Sequence, residues 1–292
     1  MERKSTIAKL TGNLLKLVAV SALMFGAVGV SQQAVAGIAN TKHNLGSTGG
    51  AGNNKVSDTG EICVFCHTPH AADTTAPAPL WNKNLSNITG FTTYASLNSS
   101  TIDGEILSVG SVSIACLSCH DGTQAMDNII NAPGSGAYDA TGGGATGRGY
   151  TWAGANVDVD GKMKNTTVAM LGTDLKNDHP IGIQYCGGGV TAGAPTGAGC
   201  KDGDFQGKAS GTAAALQSAT INSNLVWWVD TSVGTAGTRE KTDMILYTRT
   251  FAAGSGPSVE CASCHDPHTE ANPTFLRVSN TGSGVCLSCH VK

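Results

Sequence analysis

The 292-residue sequence is short of aromatic side chains, at 5%, and of charge, at 13%. Set beside 39 glycines, that shortage leaves little apolar surface to offset the entropy of ordering the chain. Nor does it carry a long amphipathic helix or an alternation of strand and helix signals. No segment after the first 36 residues is apolar enough to cross a bilayer. Something other than side chains must therefore supply the core.

Residues 1–36 read as a secretory signal. Arg3, Lys4 and Lys9 form a basic front, Leu17 to Val30 an apolar stretch, and Ala34-Val35-Ala36 a small-residue cleavage site. The stretch is about 14 residues, shorter than the roughly 20 of a membrane span. An uncleaved membrane anchor is the alternative. No cysteine lies near the cleavage site to take a lipid. Cleavage removes four basic residues and one acid, so 14 Lys and Arg face 20 Asp and Glu in residues 37–292. That balance excludes nucleic acid as a partner, since phosphates would find no counter-charge.

Residues 37–57 form a polar, Gly-rich stretch expected to be a flexible arm. Residues 124–260 make a long insert between two cysteine-rich parts, with Gly-rich stretches at Gly142–Gly149 and Gly187–Gly199. Strand-like runs within it are Thr167–Leu171, Leu225–Val229 and Met244–Tyr247. The expectation is one domain of loops, short helical turns and a few short strands.

What the chain does have is cysteine in one pattern. Cys63-Val64-Phe65-Cys66-His67, Cys116-Leu117-Ser118-Cys119-His120, Cys261-Ala262-Ser263-Cys264-His265 and Cys286-Leu287-Ser288-Cys289-His290 all read C-x-x-C-H. This is the attachment signature of c-type haem. Two cysteines three apart lie on one side of a helical turn, where their sulfurs can bond the two vinyl groups of one porphyrin. The histidine that follows sits under the ring and meets the iron. Zinc sites want Cys and His in tetrahedral sets of four and give no reason for a histidine after every second cysteine. Four covalent haems are expected, and they answer the core problem: each ring buries on the order of 300–500 Å², on the order of 10 kcal/mol apiece as an upper bound. The fold class expected is a multihaem cytochrome c with a haem-organised core.

Eight histidines serve four haems. His67, His120, His265 and His290 are the proximal ligands, leaving His43, His70, His179 and His268 as four distal ones. Met126, Met163, Met170 and Met244 are the competing ligands, and read as core filler. All-histidine ligation implies low potentials. His70 and His268 stand three residues beyond His67 and His265, too close to reach the opposite face of the same porphyrin. Each should ligate a neighbouring haem, His70 the second and His268 the fourth, with His43 and His179 serving the first and third. Cys186 and Cys200 lack the haem pattern and read as a disulfide, with a metal or redox role as the alternative. Asp121, Asp178 and Asp266 lie beside ligands, as imidazole orienters or turn formers.

As an ordered set, Cys63–His70 (CVFCHTPH), Pro79-Leu80-Trp81-Asn82, Cys116–Thr123 (CLSCHDGT), Asp174–Ile181 (DLKNDHPI), Cys261–His268 (CASCHDPH) and Ser279–His290 (SNTGSGVCLSCH) resemble the OmcE-type tetrahaem cytochromes. The resemblance implies a secreted subunit that polymerises head to tail into an extracellular filament. It also implies a continuous stack of bis-histidine haems, with one axial histidine lent by the adjacent subunit. His43, seven residues into the expected mature chain, is the candidate for that loan; folding back within its own chain is the alternative. The functional expectation is electron transfer between upstream redox partners and extracellular acceptors. A monomeric periplasmic shuttle is the second reading. A haem enzyme is a third, which the histidine count disfavours because it leaves no open iron position.

Overall fold

The computed structural model describes residues 37–291, apart from 86–88, 135, 193–198, 208–215 and 232–233. The signal reading of residues 1–36 lies outside the described residues. None of the described helices is long and apolar enough to cross a membrane.

Regular structure gathers in the second half of the chain. β3 (Ile183–Gln184), β4 (Leu216–Ile221), β5 (Asn224–Val229), β6 (Met244–Phe251) and β7 (Gly254–Val259) form an antiparallel sheet in the order β3-β7-β6-β5-β4. Asn222 and Ser223, both at positive φ, turn β4 into β5, as a two-residue hairpin with the right-handed strand twist requires. Trp227, Val229, Met244 and Leu246 are buried on the sheet and pack with Leu216, Tyr185 and Val190. The disulfide Cys186–Cys200 closes the loop beside this cluster. The strand-like runs at Leu225–Val229 and Met244–Tyr247 fall in β5 and β6. Thr167–Leu171 is not a strand: its backbone turns back to bond a histidine, as described below.

Elsewhere the chain is loops and short turns. β1 (Lys55–Val56) pairs with β2 (Trp152–Ala153), and three short helices carry cysteines: α1 (Ser111–His120), α2 (Cys261–Cys264) and α3 (Gly284–Cys289). Away from the sheet, the buried apolar groups are small: one of Leu45, Val56, Phe65, Met126 and Val157, another of Ala76, Leu85 and Ala115.

Residues 37–57 are not a free arm. Val56 N donates to Leu45 O, Asn53 Nδ2 to Thr41 O at 2.8 Å, and Thr41, Asn44 and Asn53 are buried. The glycines serve close packing here: a Cβ at Gly49 would stand 2.5 Å from Asn44 O. Short polar side chains close the turns that the sequence reading took for flexibility.

Candidate haem centres

All four C-x-x-C pairs lie on helical turns: Cys63–Phe65 on a 3-10 turn, the others on α1, α2 and α3. Each turn presents two sulfurs and delivers a histidine at its end. The eight sulfurs of these motifs are the atoms that would form the thioether bonds to haem. Burial pushes the Cys66 thiol up to about 12 and the Cys264 thiol up to about 11. Such desolvated sulfurs suit bonds to apolar porphyrin edges.

Each of the first three proximal histidines has its Nδ1 held from behind by a backbone carbonyl. His67 Nδ1 bonds Pro79 O at 2.7 Å, His120 Nδ1 bonds Ala169 O at 2.7 Å, and His265 Nδ1 bonds Thr274 O at 2.7 Å. Two distal candidates do the same: His43 Nδ1 with Pro267 O at 3.0 Å and His179 Nδ1 with Pro180 O at 2.9 Å. A carbonyl only accepts, so Nδ1 carries the proton and Nε2 is left with a lone pair for iron. Burial, then the neighbouring His120, pushes His43 down to about 4; burial also lowers His120. Both are held neutral, the form that ligates metal.

Two histidine pairs have a spacing that tests the fit to haem. His67 and His268 have ring centres 6.1 Å apart with planes 13° from parallel, and His43 and His120 have centres 6.2 Å apart with planes at 69°. A metal–imidazole bond is about 2.0–2.1 Å and the ring centre lies roughly 1.1 Å behind its nitrogen, so two imidazoles sharing one iron have centres roughly 6.2–6.4 Å apart. Both pairs match. Among the described residues, no three His, Cys, Asp or Glu converge as a tetrahedral metal site would need.

These contacts differ from the expected assignment, which placed His268 with the fourth motif and His70 with the second: the His268 ring lies beside His67 of the first motif and the His43 ring beside His120 of the second. Within the chain, Pro267 O holds His43 and the Phe275 ring stacks on it at 4.2 Å. His70 and His179 are exposed, and the structure brings neither to His265 or His290 in a ring contact. The rings of Trp81 and Phe205 lie against His67 and His290. With Phe275, they spend a good share of the chain's few aromatics on histidines.

The aspartates divide. Asp266 bonds the His268 backbone N at 3.0 Å and stands 3.4 Å from its Nδ1, so it orients that ring. Asp121 accepts from Thr123 N and Oγ1 and forms a turn. Asp178 offers its backbone carbonyl to the Tyr94 hydroxyl. Met126 and Met244 are buried within apolar clusters, as core filler would be.

Neighbouring motifs lie close to one another. Cys66 and Cys119 pack on one apolar cluster, Cys116 and Cys261 are near enough to interact, and Cys264 and Cys289 pack on another cluster.

The structure also shows a repeat that motif matching missed. After the first motif the chain returns so that Trp81 bridges His67, Asn82 N donates to Cys66 O, and Asn82 Nδ2 donates to Val64 O at 2.7 Å. After the third, Leu276 bridges His265, Arg277 N donates to Cys264 O, and Arg277 Nε donates to Ala262 O at 3.2 Å. Leu80 and Phe275 occupy matching positions at positive φ. Proximal histidine, its carbonyl partner and a side-chain clamp recur as one unit. The signal was present in HTPH and HDPH, but the differing spacers to Trp81 and Leu276 hid its length.

Residues 254–292 match the doubled CXXCH motif family. The match spans the third and fourth motifs and points to a c-type cytochrome: covalently bound haem iron, and electron transfer as its role. No curated protein matches the chain.

Proposed function

We propose that the chain carries four bis-histidine c-type haems and passes electrons along them, one haem per C-x-x-C-H motif. The observation that carries this reading is the set of four C-x-x-C-H motifs, each on a helical turn that delivers a histidine at its end; imidazole spacings of 6.1 and 6.2 Å at the first two support paired histidines. The haem iron supplies the redox change when bound. The carbonyls behind Nδ1 of His43, His67, His120, His179 and His265 leave Nε2 as the nitrogen that would ligate iron, and with histidine on both sides iron would take and give electrons without binding a substrate. Pyridine-haemochrome analysis with intact mass should give four haems per chain, and ferric spectra should be wholly low-spin. Fewer haems, or a high-spin fraction in the wild type, would sink it.

Beyond the single chain, we propose export and head-to-tail assembly into an extracellular filament, as the OmcE-type resemblance implies. The lent histidine is then His70 and not His43. His268 ligates the haem of the motif in the preceding repeat unit. By the same rule, the exposed His70 of the next copy serves a haem at the far end of this one. A heterologous contact of that kind propagates without closing. Negative-stain microscopy of secreted protein should show filaments for wild type and H43A, and only short particles for H70A. Filaments in H70A, with fully low-spin spectra, would overturn the donor assignment. A wild type that stays monomeric would favour the periplasmic shuttle.

A further inference from the structure

Two buried cations stand directly behind C-x-x-C-H turns, and ligand geometry accounts for neither. Lys83 is fully buried, and its Nζ donates to Ala125 O at 3.3 Å, Met126 O at 2.9 Å and Asn128 O at 3.4 Å. Three acceptors use three N–H donors, which only the ammonium carries. Lys83 follows Asn82, whose backbone bonds Cys66. In the matching repeat, Arg277 is 9% exposed and donates to Ala262 O from Nε and Nη2 and to Lys241 O from Nη1. Guanidinium stays charged in proteins.

Neither cation makes an ion pair among the described residues, where the ion pairs are Lys176–Asp174, Arg249–Glu260 and His268–Asp266; Asp266 acts on Arg277 only from a distance. Asp127, between two of the carbonyls that hold Lys83, turns its Oδ2 to Tyr150 N at 2.8 Å. Asp266 is engaged with His268. A buried charge without a counter-charge is costly, and the clamp alone does not need one: Asn82 performs it while neutral.

We propose that Lys83 and Arg277 are potential-setting charges, each raising the reduction potential of the haem at the motif it stands behind, the first and the third. The inference rests on the four-haem reading. Reduction adds one electron to ferric iron and breaks no bond. A fixed positive charge in a poorly solvated place favours the reduced form.

The test is a spectroelectrochemical titration of the four-haem holoprotein, comparing K83Q and R277Q with the charge-keeping K83R and R277K. Each neutral variant should move one component of the titration to lower potential. The expected size is at least about tenfold in its reduction equilibrium, about 59 mV for one electron. The Arg and Lys variants should restore it. With haem content and low-spin spectra intact, movement of all components together, or of none, would overturn the proposal. Loss of haem count or low-spin state in the wild type would instead strike the four-haem reading. The two positions report separately, and K83M, which keeps an unbranched stem, stands in if K83Q does not mature.

Discussion

At the scale of the residue, an imidazole becomes a haem ligand through what holds its other nitrogen. His268 differs from His67 in this respect, with a carboxylate at 3.4 Å in place of a carbonyl at 2.7 Å. Replacing it should therefore open one iron position while the sulfur attachments hold. H268A is expected to keep its haem count and to show one high-spin, five-coordinate haem that binds added imidazole. A spectrum that stays fully low-spin would separate His268 from the iron of the first motif. Asn82 makes a second case. Its Nδ2 donates to Val64 O and Asn131 O, and its Oδ1 accepts from Asn131 N at 2.9 Å, with Asn82 itself at zero exposure. N82A removes three hydrogen bonds, a loss of about 1.5–4.5 kcal/mol at about 0.5–1.5 kcal/mol each. Denaturant unfolding of the holoprotein measures it. The ligands themselves were legible from spacing and counting. The carbonyls of Pro79, Ala169 and Thr274 were not, because a backbone acceptor leaves no mark on residue type.

At the scale of the element, Glu260 ties the second motif to the third. Its carboxylate accepts from Ser113 Oγ at 2.5 Å, Arg249 Nη1 at 2.9 Å and Ser258 Oγ at 3.0 Å, and it caps α2 together with Ser263. Ser113 in turn accepts from Cys261 N at 3.0 Å. This network fixes α1 against α2, where the Cys116 and Cys261 sulfurs meet. E260A leaves a mostly buried Arg249 unpaired and should cost about 3–5 kcal/mol. Burial raises Glu260 above the usual carboxylate range, outweighing Ser113 and Arg249. A raised carboxyl contributes most below its unfolded pKa, about 4.3, and loses that contribution as pH rises through the folded value. Relative to E260Q, the wild type should lose stability over that window, which parallel denaturation series at stepped pH would read. A constant difference would show that Glu260 keeps one charge state throughout. None of this was legible in the sequence, where Glu260 is one acid among many. β5 and β6 were legible as apolar runs. β7, with Gly254, Gly256 and Pro257, was hidden by residues that strands ordinarily avoid.

At the scale of the whole molecule, the apolar clusters divide into one that a sheet supports and others that depend on the cysteine turns. The sheet cluster has Trp227, Tyr185 and Met244, all 1% exposed or less, and a disulfide across a separation of 14 residues. A loop of that size contributes about 3 kcal/mol. The first half of the chain has no such reserve. Phe65, Leu45, Val56, Met126 and Val157 surround Cys66 and Cys119, and this group is too small to offset the ordering entropy of the loops around it. Each porphyrin would add apolar burial on the order of 10 kcal/mol there as an upper bound. Haems would thus supply the core unevenly, more in the first half than beside the sheet. In haem-free protein, hydrogen exchange should find β4–β7 protected and the amides of residues 37–180 exchanging at nearly the rate of unfolded chain. Holoprotein should protect both. Protection of Val56, Asn82 and Leu171 amides in the haem-free chain would show that the first half folds on side chains alone, and that the scarcity of aromatics carries no such consequence. If β4–β7 exchange as fast as the rest, the sheet too depends on the haems held beside it at Cys264 and Cys289.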